Sequence, residues 1–194
     1  MKKLVKLKRA DMFGPALYAP VRDDFRRRMI EYKRNRRVVV GDKVTLTFEN
    51  RDTLRFQVEE MLLTEGITSD EGIQAELDTY ATLMPDEGSL SATLFLDPPN
   101  DEDPKIRLRR FIGIDEHVSI EIGPHRIRAA FEPGRQEADR ISAVQYVRFP
   151  LSAESRDALR TAGTPVAIVI DHPSYQQRVQ VADGVRASLA ADYD

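Results

Sequence analysis

Cysteine is absent from this 194-residue chain, and histidine occurs only three times. The first absence excludes cysteine-ligated zinc, an iron–sulfur cluster held by this chain alone, and any thiol nucleophile. It also removes any disulfide argument for secretion. The second means that a three-histidine zinc site would need all of His117, His125 and His172. His117 and His125 flank one predicted hairpin, which would let them approach each other. No apolar run nears the roughly 18 residues of a membrane helix. The start, MKKLVKLKRADMF, is basic and lacks the apolar centre of a signal peptide. Both observations point to a soluble, cytoplasmic protein.

Motifs of known chemistry are missing as well. There is no Gly-rich dinucleotide or P-loop signature, no HExxH, no GxSxG and no ExxH pair. No cofactor is implied by motif, and whether the chain is an enzyme is left open. The acidic loop Asp97–Asp103 carries carboxylates but not the ligand spacing and glycine of an EF-hand.

What is present suits one α+β domain over residues 1–194, a mainly antiparallel sheet with helices packed on it. Charge is uneven: residues 1–37 carry a net +9 and the remainder −12. Such a basic head can bind phosphate-bearing ligands, dock on its own acidic body, or meet a second copy in a homodimer. Residues 1–20 read as an extended lead-in. Val21, Phe25, Met29 and Tyr32 then mark one stripe of a basic helical arm ending near residue 37.

Val38–Phe48 reads as a strand pair turning at Gly41-Asp42. Asn50 or Asp52 caps the next helix, whose buried stripe is Leu54, Val58, Met61 and Leu62; Gly66 ends it. A helix over 70–83 follows, with Gly72 weakening its first turn by about 1 kcal/mol relative to alanine. Strands are expected at 91–97, 117–122, 126–132, 142–149 and 177–181. Pro165–Ile170 has the wholly apolar character of a central strand. Short helices are expected at 105–112 and 153–162, and Asp183 caps a last one ending near Tyr193.

Two clusters could carry chemistry. In Asp171-His172-Pro173-Ser174-Tyr175, at the end of the apolar strand, Asp171 could orient His172 and Tyr175 could donate a hydrogen bond; the same residues also make a good turn. The second cluster is Glu49, Glu59 and Glu60 with Arg51 and Arg55. Glu59 and Glu60 diverge by about 100° on a helix, and Glu59 has Arg55 as its i, i+4 neighbour. Architecture alone leaves Glu49, Arg51, Gln57 and Glu60 unexplained. His172 and Glu60 are the candidate metal ligands.

The blocks FENRDTLRFQVEEML, EGIQAELDTYATLMPD, SAVQYVRFPLS and VAIVIDHPSY resemble those of an uncharacterised bacterial family, catalogued as domain of unknown function 3501. The resemblance covers essentially the whole chain. It places Asn50, Arg51, Asp52, Gln57, Glu60 and the Asp171-His172-Pro173 turn in family motifs and His117 outside them. It implies no activity. It does imply association with a rubrerythrin-like protein and an iron–sulfur oxidoreductase. The leading expectation is therefore a non-catalytic accessory or binding protein of a redox, iron or oxidative-stress system. The alternative is a small enzyme or metal-binding protein using His172 and Asp171 with carboxylates of 49–60. Nucleic-acid binding by the basic helix is a third reading, against which stands the lack of aromatic interleaving.

Overall fold

The computed structural model describes residues 4–97, 103–137 and 139–193. Most of the acidic loop read above against calcium lies outside these residues. Gly14 and Pro15 open a short helix α1 (Pro15–Tyr18), which runs through a 3-10 turn into α2 (Arg22–Arg34). The extended lead-in expected over residues 1–20 is thus partly helical. Pro15 sits at the first helical position, where its missing N–H costs nothing.

The rest of the chain alternates strands and helices: β1 (Arg37–Val40), β2 (Val44–Glu49), α3 (Arg51–Glu65), α4 (Asp70–Ala81), β3 (Ser89–Leu96), α5 (Pro104–Arg109), β4 (Val118–Ile122), β5 (His125–Arg128), β6 (Ala130–Phe131), β7 (Val144–Pro150), α6 (Ala153–Arg160), β8 (Val166–His172), β9 (Tyr175–Gln180) and α7 (Asp183–Ala190). The strands form two antiparallel sheets, ordered β1-β2-β3-β7-β6 and β5-β4-β8-β9. This is the expected α+β class.

The two sheets enclose the main core. Val40, Leu46, Phe48, Leu94 and Phe149 from one meet Ile120, Ile122, Ile168 and Ile170 from the other. The sheets join where the chain leaves β5 and enters β6, with the Ala129 amide still bonded to the Val118 carbonyl (2.9 Å). Such a bent strand lets one segment serve both sheets. At the opposite edge Tyr175, on β9, donates to the Val40 carbonyl (2.5 Å) and accepts the Lys43 amide (3.2 Å). Gly41 makes that approach possible. It sits at φ +65°, and a side chain there would collide with the Tyr175 hydroxyl. Leu159, Val185 and Leu189 bring α6 and α7 into the same core.

Helices α3 and α4 form a second layer with its own small core of Met12, Val58, Leu62, Ile73 and Leu77. The stripe expected on α3 is buried at Leu54, Val58 and Leu62, whereas Met61 is only half-buried. Gly72, expected as a weak point, has a packing reason: a Cβ there would lie 2.7 Å from Ile67 Cγ2. Asp183 does not cap α7; the cap position is Ala182, and Asp183 lies in the first turn bonded to Arg186 (2.8 Å). Among the described residues no helix is long and apolar enough to cross a membrane.

Candidate functional site

The β2–α3 junction brings the 49–60 residues together, and their contacts explain most of them. Asn50 is the N-cap: its side-chain oxygen accepts the amides of Asp52 (3.1 Å) and Thr53 (3.2 Å). Its Nδ2 donates to the Tyr32 hydroxyl (2.7 Å) and to Asp192 Oδ1 (2.8 Å). Asp192 also pairs with Arg36 at 2.6 Å, both fully buried. Arg36 spends its remaining donors on the carbonyls of Phe48, Glu49 and Ser188, each 3.1 Å away. Three distant parts of the chain are tied at this one guanidinium.

Glu49 is equally buried, on the face of β2 turned toward α3. Its Oε1 accepts from Thr93 (2.6 Å) and its Oε2 from Thr53 (2.5 Å) and Gln57 (3.0 Å). Gln57 thus serves Glu49, and both are accounted for by packing of α3 on the sheet.

The remaining residues of this cluster hold the N-terminal segment. Arg51 pairs with Asp11 at 2.6 Å. Glu60 receives Arg22 in a two-pronged pair (2.8 and 2.7 Å) and the Tyr18 hydroxyl (2.7 Å). Glu59 is fully buried and accepts the amides of Phe13 (2.6 Å) and Gly14 (3.2 Å) at the start of α1. The local Glu59–Arg55 pair expected from spacing does not form. Glu59 takes the backbone amides instead, and the Arg55 guanidinium lies over the rings of Phe13 and Phe25.

The basic head therefore docks on its own body. Arg9 meets Asp70 across the fold, and Arg27 and Arg34 pair with Asp24 and Glu31 within α2.

The pair with Arg22 and the Tyr18 hydrogen bond hold the Glu60 carboxyl below the usual glutamate range. A lowered folded pKa contributes stability that is complete above the unfolded value, about 4.3, and is lost as pH falls through the folded one. The N-terminal segment should accordingly loosen below about pH 4. Hydrogen exchange at residues 15–22, followed from pH 6 down to pH 3, is the check. Glu60→Gln should raise exchange there at pH 6 and flatten its pH dependence.

At the 171–175 turn the structure departs from the expected pairing. The strand runs through to His172, so successive side chains point to opposite faces. His172 turns inward: its Nε2–H donates to the Ile112 carbonyl (3.0 Å), and its Nδ1 accepts the Ser174 amide (3.2 Å). These partners set a neutral tautomer and occupy both ring nitrogens. Tyr175 is spent on the β1–β2 turn.

Asp171 turns outward instead, to His117 Nδ1 (3.1 Å) and Arg126 (2.7 Å). The His117 hydrogen bond, reinforced by Arg126, holds the Asp171 carboxyl below the usual aspartate range. Arg126 Nε also donates to Ser119 Oγ (3.1 Å). The ring of His117 packs edge-to-face on His172, with centroids 5.3 Å apart. His117, Ser119, Arg126 and Asp171 line an open depression of about 310 Å³ with Glu116 and Arg128.

Sequence reasoning considers His117 only as a ligand of a three-histidine zinc site, not as the partner of Asp171. His117 is the first residue of the strand expected at 117–122, and strand pairing of Val118 with Ile170 brings it beside Asp171.

The structure does not unite the two sequence clusters. Glu60 contacts Tyr18 and Arg22, whereas His172 contacts Ile112 and Ser174. His117 and His125 lie at opposite ends of β4, because the turn falls between Ile122 and His125. Among the described residues no group of three or more acidic or histidine side chains is placed to hold a metal.

A family model described as "Protein of unknown function (DUF3501)" matches residues 6–193. Among solved structures, a novel protein of unknown function from Burkholderia pseudomallei K96243 is similar, with a TM-score of 0.91 and 35% identity. The alignment covers 98% of this chain and 100% of that one. No curated protein matches.

Proposed function

The chain belongs to the DUF3501 family, and from that premise we propose that it is a non-catalytic binding protein whose recognition surface is the solvent face of the four-stranded sheet. One observation carries this reading: Glu49, Glu59, Glu60 and His172, the groups best suited to acid–base or metal chemistry, each hold the chain to itself. What is left open to solvent is a recognition surface. Arg126, Arg128, Asp171, Gln176 and Arg178 are exposed on it. They are ordered by pairs such as Arg178–Glu121 (2.9 Å) and Arg126–Asp171 (2.7 Å). Fixed charges of both signs on a flat sheet give register and selectivity to a protein–protein contact.

The association implied by the family resemblance names the partners to try, a rubrerythrin-like protein and an iron–sulfur oxidoreductase, in a cytoplasmic redox or iron system. Calorimetric titration should yield a complex with one of them. The double variant Arg126→Glu/Arg178→Glu should weaken it at least about tenfold, as expected when charged contacts are reversed. Steady turnover of a redox or hydrolytic substrate by the purified chain alone would sink this reading, as would failure to bind either partner.

A second reading rests on the His117–Asp171 pair. A carboxylate bonded to one ring nitrogen, beside a depression of about 310 Å³, is the arrangement of an acid–base catalyst. It relocates the enzyme alternative from His172 to His117. A hydrolytic activity abolished by His117→Ala and kept by His172→Gln would establish it. The basic helix favours neither reading for nucleic acid, since Arg22, Arg27, Arg34 and Arg36 are all paired within the chain.

A further inference from the structure

Helices α2 and α3 leave a cavity of about 270 Å³ between them, lined by Phe25, Arg28, Met29, Tyr32, Asp52 and Arg55. The α2 members recur at i, i+3, i+4 and i+7, the stripe facing α3. Two arginines, Arg28 and Arg55, enter from opposite helices, and neither meets a carboxylate among the described residues.

Arg55 is the more telling. Its guanidinium lies over the rings of Phe13 (4.7 Å) and Phe25 (5.7 Å). Phe25 is itself held, by stacking on Phe56 at 6.0 Å and edge-on by Tyr18 at 5.7 Å. The Nε of Arg55 is buried with no acceptor. A buried guanidinium hydrogen without an acceptor is costly, and aromatic faces stabilise the charge without accepting its in-plane N–H groups.

Arg28 adds a second cation over Phe25 at 5.9 Å, and its one hydrogen bond is a long one to the Asp24 carbonyl (3.4 Å). Nearby arginines of this layer do pair with carboxylates, as Arg9, Arg22 and Arg51 show. In the pocket two have none among the described residues.

We propose that this pocket binds a small organic oxyanion, a carboxylate or a phosphate monoester on an apolar body. Arg55 and Arg28 grip the anion, and Phe25 with Met29 packs against the body. A planar guanidinium fork is the geometry for either head group. The rings hold that fork in advance, which lowers the ordering cost of binding. Asp52 on the wall sets a limit: its charge disfavours polyanions, so the pocket is not a nucleic-acid groove. The proposal is independent of the sheet face described above, which lies on other elements.

The test is calorimetric titration of the full chain at low salt with phenyl phosphate, benzoate, inorganic phosphate and phenol, paired with NMR of the arginine Nε–H signals. Phenyl phosphate or benzoate should bind with a dissociation constant below about 1 mM. Whichever binds more tightly identifies the head group. Inorganic phosphate should bind more weakly than either, and phenol not at all. The Arg55 Nε–H resonance should move on binding.

Arg28→Gln, at an exposed position, should weaken binding about tenfold or more while leaving thermal unfolding unchanged. Arg55→Lys, which keeps the charge and loses the fork, should do likewise. Arg126→Glu should leave affinity untouched. Binding of phenol equal to that of the anions would overturn the proposal. So would wild-type affinity in both arginine variants, or no anion bound at about 1 mM.

Discussion

Asp192→Ala should lower the stability of the fold by about 3–5 kcal/mol, because it strands a buried positive charge. Arg36 is 0% exposed, and Asp192 is its counter-ion at 2.6 Å. The carbonyls of Phe48, Glu49 and Ser188 would still accept from the guanidinium. They carry no net charge, so the desolvation cost of Arg36 would be offset only in part. The same substitution also frees Nδ2 of the cap residue Asn50 from one of its acceptors.

Urea unfolding followed by circular dichroism gives the number. Asp192→Asn should fall between wild type and alanine, since it can still bond Asn50 while losing the charge. Replacing both members together, Arg36→Met with Asp192→Leu, should recover a good part of the loss, because two apolar side chains leave no charge uncompensated. If Asp192→Ala costs under about 1 kcal/mol, the pair is not the tie that its geometry indicates.

The second large effect belongs to Glu49. Glu49→Ala should cost about 2–4 kcal/mol, because Thr93 and Gln57 lose their acceptor inside the α3–sheet contact and Thr53 is left with only the Asn50 carbonyl. Glu49→Gln should cost markedly less. An amide oxygen still accepts, and the two threonine hydroxyls can rotate to accept in turn. Measured by the same unfolding experiment, an alanine cost no larger than the glutamine cost would show that hydrogen bonding is not what Glu49 contributes. A further contrast separates structure from chemistry: stability should fall in both Glu49 variants while binding at the Arg28–Arg55 pocket stays as in wild type.

These two residues also show where sequence reading stops. Glu49 stood out in the sequence because no amphipathic pattern explained it, and the explanation lies in Thr93, 44 positions away on the neighbouring strand. Arg36 belonged to a run of positive charge that read as a solvated or phosphate-binding face. It is instead fully buried, because it falls where α2 ends against β1 and the C-terminal residues close over it. Composition cannot distinguish a buried arginine from its exposed neighbours at positions 34 and 37. Only the path of the chain does.

Other features were legible in advance. The apolar run 165–170 is the buried strand β8, and the alternation at 44, 46 and 48 gives the inner face of β2. Asn50 caps α3, and Gly66 ends it at φ +66°. The α+β class and the antiparallel pairing follow from such local periodicities, and so does the position of each long helix.

The chemistry at 171–175 was decided otherwise. Its outcome hung on the strand continuing two residues past Ile170, which sends Asp171 and His172 to opposite faces and gives Asp171 to His117. By itself the sequence determined most of the elements from Val21 onward, most of their inner faces and the exclusion of thiol and cysteine-ligated metal chemistry, because these depend on composition and on neighbours a few residues apart. Tertiary structure alone decided which charges are consumed and which are left facing solvent. An ion pair or a buried acceptor is set by the approach of segments tens of residues apart, and the free energy of desolvating a charge depends on what meets it there.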